Sequence, residues 1–229
     1  MICRLPQRII KPELSPPTLR ELLLDMTLIT GVARNTSTTG TVGALGYTSL
    51  AVTAYCLSIC NGYMGIWKAK SSGITTTPIK SMSNDYGGIN VSGTAISYKN
   101  SGYGTAAGGD SVYGATLVLV RFPSYTEAQI DAVLGAMTLT RIAGRNSSST
   151  GYVRTQDKTH DFYLTTRYKA NGSSYTGSGT DPGLVIWECD GSTWTKLNQV
   201  TPDWQAGAVS SGYLTLGAGT YGASLIAID

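Results

Sequence analysis

Histidine, phenylalanine and charge are all scarce in this chain of 229 residues: one His, two Phe and a charged fraction of 14%. With His160 as the sole imidazole, a Ser-His-Asp mechanism has one candidate base, and no Gly-x-Ser-x-Gly elbow supplies the matching nucleophile. No stretch approaches the roughly 20 apolar residues that cross a bilayer, so membrane insertion is not expected. The opening run Met1-Ile-Cys-Arg-Leu-Pro-Gln-Arg-Ile-Ile10 lacks a signal-peptide core with a cleavage site, so general export is not expected either. Cys3, Cys56, Cys60 and Cys189 do not follow zinc-ligand spacing. On one strand, Cys56 and Cys60 would be four steps of about 3.3 Å apart, beyond the roughly 7 Å reach of a disulfide. Buried thiols in a protein made in a reducing cytosol are therefore expected. A net charge of +3, without a basic run interleaved with aromatics, argues against nucleic-acid binding. Phosphate-cradling glycine loops and acidic calcium loops are also missing from the sequence, so no cofactor and no metal are expected.

The chain is rich in Gly (28) and Tyr (14), with Ser and Thr filling the loops, a composition usual for β-rich surface proteins. Its most informative feature is an internal repeat. At an offset of 111 residues, Met26-Thr27-Leu28 matches Met137-Thr138-Leu139, and residues 32–42 match 143–153, with six of eleven identical. Further on, Gly65-Ile-Trp-Lys68 matches Val185-Ile-Trp-Glu188, and Tyr113-Gly-Ala-Thr-Leu117 matches Tyr221-Gly-Ala-Ser-Leu225. The offset drifts to 120 and then 108, as expected when packed elements are kept and surface loops change length.

Each repeat opens with a short helix. Thr18-Leu-Arg-Glu21 reads as a capping box with Leu19, Leu22, Leu23 and Met26 on one face. Ser124-Tyr-Thr-Glu127 reads as the second box, ahead of the stripe Ile130, Val133, Leu134 and Met137. Residues 50–60, 115–122, 162–168 and 223–228 read as strands, and residues 185–195 as a hairpin turning at Asp190-Gly191. The fold expected is mainly β, with two tandem homologous β-sandwich-like domains, each preceded by a short α-helix. The boundaries are an extended N-terminal arm at 1–17, repeat 1 at 18–122 and repeat 2 at 123–229. Prolines at 6, 12, 16 and 17 keep the arm irregular, while Ile2, Leu5, Ile9 and Ile10 make it apolar enough to dock on a neighbouring subunit.

Carboxylate pairs suited to glycoside cleavage would be Glu188 with Asp190, or Asp157 with Asp161. The hairpin position of Asp190 is ordinary turn chemistry, and Asp190-Gly-Ser-Thr-Trp194 resembles the structural Asp-box hairpin of sialidases without its spacer residue. Glycan binding has better candidates: Trp194 and Trp204 as exposed stacking faces, with Asn198 and Asp203 as hydrogen-bonding partners. Trp67 and Trp187 recur at matched positions and so read as core. Arg34 and Arg145 also recur, which marks them as strand-end or assembly contacts.

In overall organisation, an arm followed by helix and sandwich twice, with a surface-like composition and no export signal, the chain resembles accessory structural proteins of tailed bacteriophage virions. That class comprises decoration, tail and fibre-attachment components. The resemblance implies a non-enzymatic assembly protein, synthesised in the host cytoplasm and working in the virion, whose partners are other copies of itself and other virion proteins. The alternative is a carbohydrate-binding adhesin or receptor-binding module with a host-surface glycan as partner. A glycan-cleaving enzyme ranks third.

Overall fold

A computed structural model describes residues 15–35, 41–46, 53–70, 73–75, 77–82, 89–92, 95–99, 113–144, 152–167, 178–179, 182–201, 206–217 and 222–229. The first half runs α1 (Leu19–Asp25), β1 (Thr27–Asn35), β2 (Thr41–Gly46), β3 (Ala54–Cys60), β4 (Tyr63–Lys70), β5 (Gly73–Ile74), β6 (Lys80–Ser81), β7 (Ile89–Ser92), β8 (Ala95–Lys99) and β9 (Tyr113–Arg121). The second runs α2 (Glu127–Ala136), β10 (Leu139–Gly144), β11 (Val153–Thr155), β12 (Phe162–Arg167), β13 (Ser178–Gly179), β14 (Gly183–Cys189), β15 (Trp194–Gln199), β16 (Ala208–Ser210), β17 (Tyr213–Leu216) and β18 (Ser224–Ile228). The protein is mainly β, built from several antiparallel sheets with two short helices.

The strand order is the same in both halves. A large sheet carries β1-β9-β3-β4 in the first and β10-β18-β12-β14 in the second, and a three-stranded sheet carries β2-β8-β7 in the first and β11-β17-β16 in the second. Strand β13 crosses over, pairing Ser178 with Arg34 and Gly179 with Ala33 of β1.

Both faces of the central strands of each large sheet are buried, which explains why those strands read as unbroken apolar runs. Along β3, Tyr55, Leu57 and Ile59 enter one core while Ala54 and Cys56 enter another. Along β12, Phe162 and Leu164 enter the first core and Tyr163 enters a third. The two-residue period of a strand thus divides the chain between a central core and two outer ones. The outer cores lie between each large sheet and its small partner and hold Trp67 in one half and Trp187 in the other, so both recurring tryptophans are core residues. The central core is common to both halves, taking Leu57 and Ile66 from the first and Leu164, Ile186 and Ile226 from the second.

Both helices belong to that central core, through Leu22, Leu23 and Met26 of α1 and Ile130, Leu134 and Met137 of α2. Thr18 caps α1 with Glu21, as the sequence indicates. The second cap differs from expectation: Thr126 with Gln129 forms the capping box, two residues beyond Ser124. Ser124 is held elsewhere, its N–H and hydroxyl both donating to the Asp25 carboxylate at the end of α1 (2.9 and 2.7 Å).

Candidate functional site

The charged and polar side chains the fold brings together most densely lie on the seam between the halves. Each helix docks against the sheet of the other half. On α1, Arg20 donates to Glu188 of β14 through Nε (2.7 Å) and Nη2 (3.1 Å). On α2, Asp131 and Glu127 both accept from Lys68 of β4, Asp131 accepts from the Tyr55 hydroxyl (3.1 Å), and Glu127 also pairs with Lys70 (2.8 Å). Hydrogen bonds from Lys68, Lys70 and Thr53 hold the Glu127 carboxyl down at about 2. Burial alone would pull the Lys68 ammonium down, but bonds to Asp131 and Glu127 outweigh it and raise the net value. Burial, followed by the Asp131 charge, pushes the Tyr55 hydroxyl up.

The helix ends are tied down in the same reciprocal way. Asn198 of β15 donates its amide to the carbonyls of Leu23 (2.8 Å), Leu24 (3.3 Å) and Met26 (2.9 Å), closing the C-terminal end of α1. Lys80 of β6 reaches the Gly135 carbonyl of α2 (3.5 Å). Asn198 stands opposite Ile186 and Lys80 opposite Ile66, two isoleucines at matched repeat positions.

The seam closes at the hairpin ends. Asn61 and Gly62 form the two-residue turn of β3–β4 with positive φ (48° and 80°), as a right-twisted hairpin requires. This turn sits on the second half: Arg141 donates to the Asn61 carbonyl (2.9 Å), and the Gly62 N–H donates to the Ser224 hydroxyl (2.9 Å). Conversely, β13 lies on β1, and Pro182 packs where a Cβ on Gly31 would sit 2.8 Å from its ring.

The glycan candidates fare differently from expectation. Trp194 is buried at 5% exposure, because it is the cross-strand partner of Cys189 and so faces the outer core. Its ring meets Tyr163 edge-on, and the Lys158 ammonium lies 4.8 Å above it. No stacking face is open there, which corrects the expectation of an exposed ring. Asn198 has its amide nitrogen engaged by α1 as described. Trp204 and Asp203 lie outside the described residues, as do Arg145, Ile2, Leu5, Ile9 and Ile10. For Arg34 the backbone is described, paired with Ala115 and Ser178 in β1, and the side chain is not.

The carboxylates weighed for catalysis also have local partners. Asp190 accepts from the N–H and hydroxyl groups of Ser192 and Thr193, which depress its pKa and fix the hairpin turn. Asp157 accepts from Thr159 in the same manner. His160 has both ring nitrogens turned to carboxylates, Nδ1 to Asp229 (2.6 Å) and Nε2 to Asp157 (3.7 Å). The Nδ1 contact ties the loop ahead of β12 to Asp229. Among the described residues, no group of three His, Cys, Asp or Glu side chains is placed to hold a metal ion, and no helix is long and apolar enough to cross a membrane.

Two surface features were not singled out by the sequence reading. The Arg154 guanidinium stacks over Tyr213 (4.2 Å) and beside the exposed Tyr152 (5.4 Å), on the outer side of the β11-β17-β16 sheet. A shallow apolar groove of about 360 Å³ runs between the helices, lined by Pro16, Pro17, Leu19, Ala132, Val133 and Met137. Strand alternation around Tyr152 and Arg154 was the available signal for the first. For the seam it was a charged residue, Arg20 or Asp131, beside the apolar stripe of each helix. No protein-family model, no curated protein and no solved structure matches the chain.

Proposed function

We propose that this chain is a non-enzymatic structural protein of a tailed bacteriophage particle, a decoration, tail or fibre-attachment component, built from two tandem homologous β-sandwich-like units. The observation that carries this reading is the use made of its conspicuous polar groups. Arg20, Lys68, Glu127, Asp131, Glu188 and Asn198 join helix to sheet across the seam. His160, Asp157 and Asp190 fix loops. Side chains so engaged make a scaffold, whereas a catalytic acid or base must be within reach of a substrate proton. Duplication is supported by the matched sequence blocks and the shared strand order. On this reading the apolar residues of the arm, Ile2, Leu5, Ile9 and Ile10, dock on a neighbouring subunit, and the protein is synthesised in the host cytoplasm before joining the virion.

Carbohydrate binding is the second reading, and the observation favouring it is the exposed Tyr152 beside Arg154 and Tyr213, a flat aromatic and cationic face. One experiment separates the two. The host encoding the chain is induced, particles are purified, and the protein is sought in them by mass spectrometry; the purified protein is also placed on a glycan array. Recovery from particles at constant copy number with a blank array supports assembly. Glycan binding that Tyr152→Ala abolishes, with no protein in particles, overturns it.

A further inference from the structure

Aligned by the repeat, Arg20 of α1 corresponds to Asp131 of α2, and Lys68 of β4 corresponds to Glu188 of β14. The structure pairs Arg20 with Glu188 and Asp131 with Lys68. The two contacts are therefore the same contact made twice, with the charges reversed: helix-cation to sheet-anion in one direction, helix-anion to sheet-cation in the other.

This reversal determines which halves fit each other. Were two first halves to meet through the seam, Arg20 of each would face Lys68 of the other. Were two second halves to meet, Asp131 would face Glu188. Both arrangements place like charges in hydrogen-bonding positions, and only a first half against a second half satisfies both contacts. The two helix-end contacts and the central core do not discriminate in this way. Asn198 and Lys80 each close a helix end through carbonyls that every helix offers, and the central core is apolar on both sides. Unlike charges attract weakly at an exposed site, yet like charges set face to face are a known means of rejecting the wrong partner.

We infer that the Arg20–Glu188 and Lys68–Asp131 pairs are a heterotypic code, which makes the seam a surface specific for the opposite half and closed to a like half of another copy. The inference rests on the duplication proposed above. It bears on assembly: a protein packed at high local concentration with copies of itself needs its seam faces to close within the chain and to leave like halves of neighbours unpaired. Glu127 stands apart from the code, since it lies in the N-terminal extension of the longer α2 and has Lys70 and Thr53 as further partners.

The test uses the full chain and keeps its composition and net charge. The exchange Lys68→Glu with Glu188→Lys puts like charges at both pairs within the chain and makes each half complementary to its own kind. Adding Arg20→Asp with Asp131→Arg restores opposite charges at both pairs with the polarity inverted. The double exchange should lose roughly 4–8 °C in Tm at low salt, less at 1 M salt. After refolding from denaturant it should also show doubled mass by light scattering relative to the parent. The fourfold exchange should recover at least half of the lost Tm and return to the parental mass. A fourfold variant no more stable than the double, or a double exchange of parental mass, overturns the code. Diffraction from the parent protein tests the duplication separately: halves that do not superpose, alongside a full recovery, would leave two genuine ion pairs and remove the duplication.

Discussion

Gly144 of β10 lies so close to Asn61 at the tip of the β3–β4 hairpin that an added Cβ would stand 2.0 Å from the Asn61 carbonyl carbon. The obstruction is backbone on both sides, so no side-chain rotation relieves it. Gly144→Ala should therefore part the hairpin from β10 and break the bonds from Arg141 and Gly62, costing about 3 kcal/mol or more. Gly135 in α2 has nothing within 4 Å of its Cβ position and an ordinary helical backbone. Gly135→Ala should accordingly stabilise the protein by about 0.4–1 kcal/mol. Urea titration of the two variants checks both signs.

The two helix-end contacts should differ in strength although they occupy matched positions. Asn198 is partly buried and serves three carbonyls, so Asn198→Ala should cost about 1–2 kcal/mol. Asn198→Asp should be worse, because it sets a carboxylate against the same carbonyls. Lys80 reaches its carbonyl at 3.5 Å in exposed surroundings, and Lys80→Met should cost less than about 0.5 kcal/mol. Thermal melts of the three variants under one buffer give the order.

Acid should loosen the seam. The Glu127 value of about 2 in the folded state lies below its ordinary 4.5, so its stabilisation is complete above pH 4.5 and is lost as pH falls toward 2. Glu127→Gln should lower Tm at pH 7 and lose less between pH 4.5 and 2 than the parent does. Parallel Tm-against-pH curves for the two proteins would contradict this.

Strand alternation decides how much of this could be read beforehand. The helices, the strands β3, β9, β12 and β18 and the β14–β15 hairpin were legible because apolar runs and turn residues mark them directly. Trp194 stands among polar neighbours, Thr193, Thr195 and Lys196, which hide its burial from local sequence. Its partner across the hairpin, Cys189, places it in the outer core, and pairing register is not visible in one strand alone. The second cap was misplaced because Ser124 has a tertiary partner, Asp25, that local sequence does not reveal. The seam escaped because its pairs join residues far apart in the chain, such as Arg20 and Glu188.

The arm offers a test of assembly apart from folding. The Ser15 carbonyl accepts from Gln129 (3.3 Å), and the sequence ahead of it is apolar and broken by Pro6 and Pro12. Deleting residues 1–14 should leave Tm unchanged while reducing incorporation into particles. A truncated protein without a cooperative melt would place the arm in the core instead.

The two halves share one core and are held by reciprocal contacts, so they should unfold as one cooperative unit. Differential scanning calorimetry of the full chain tests it most directly. A single endotherm whose calorimetric and van't Hoff enthalpies agree is expected. Two separable endotherms, one moved by Gly144→Ala and the other untouched by it, would contradict it.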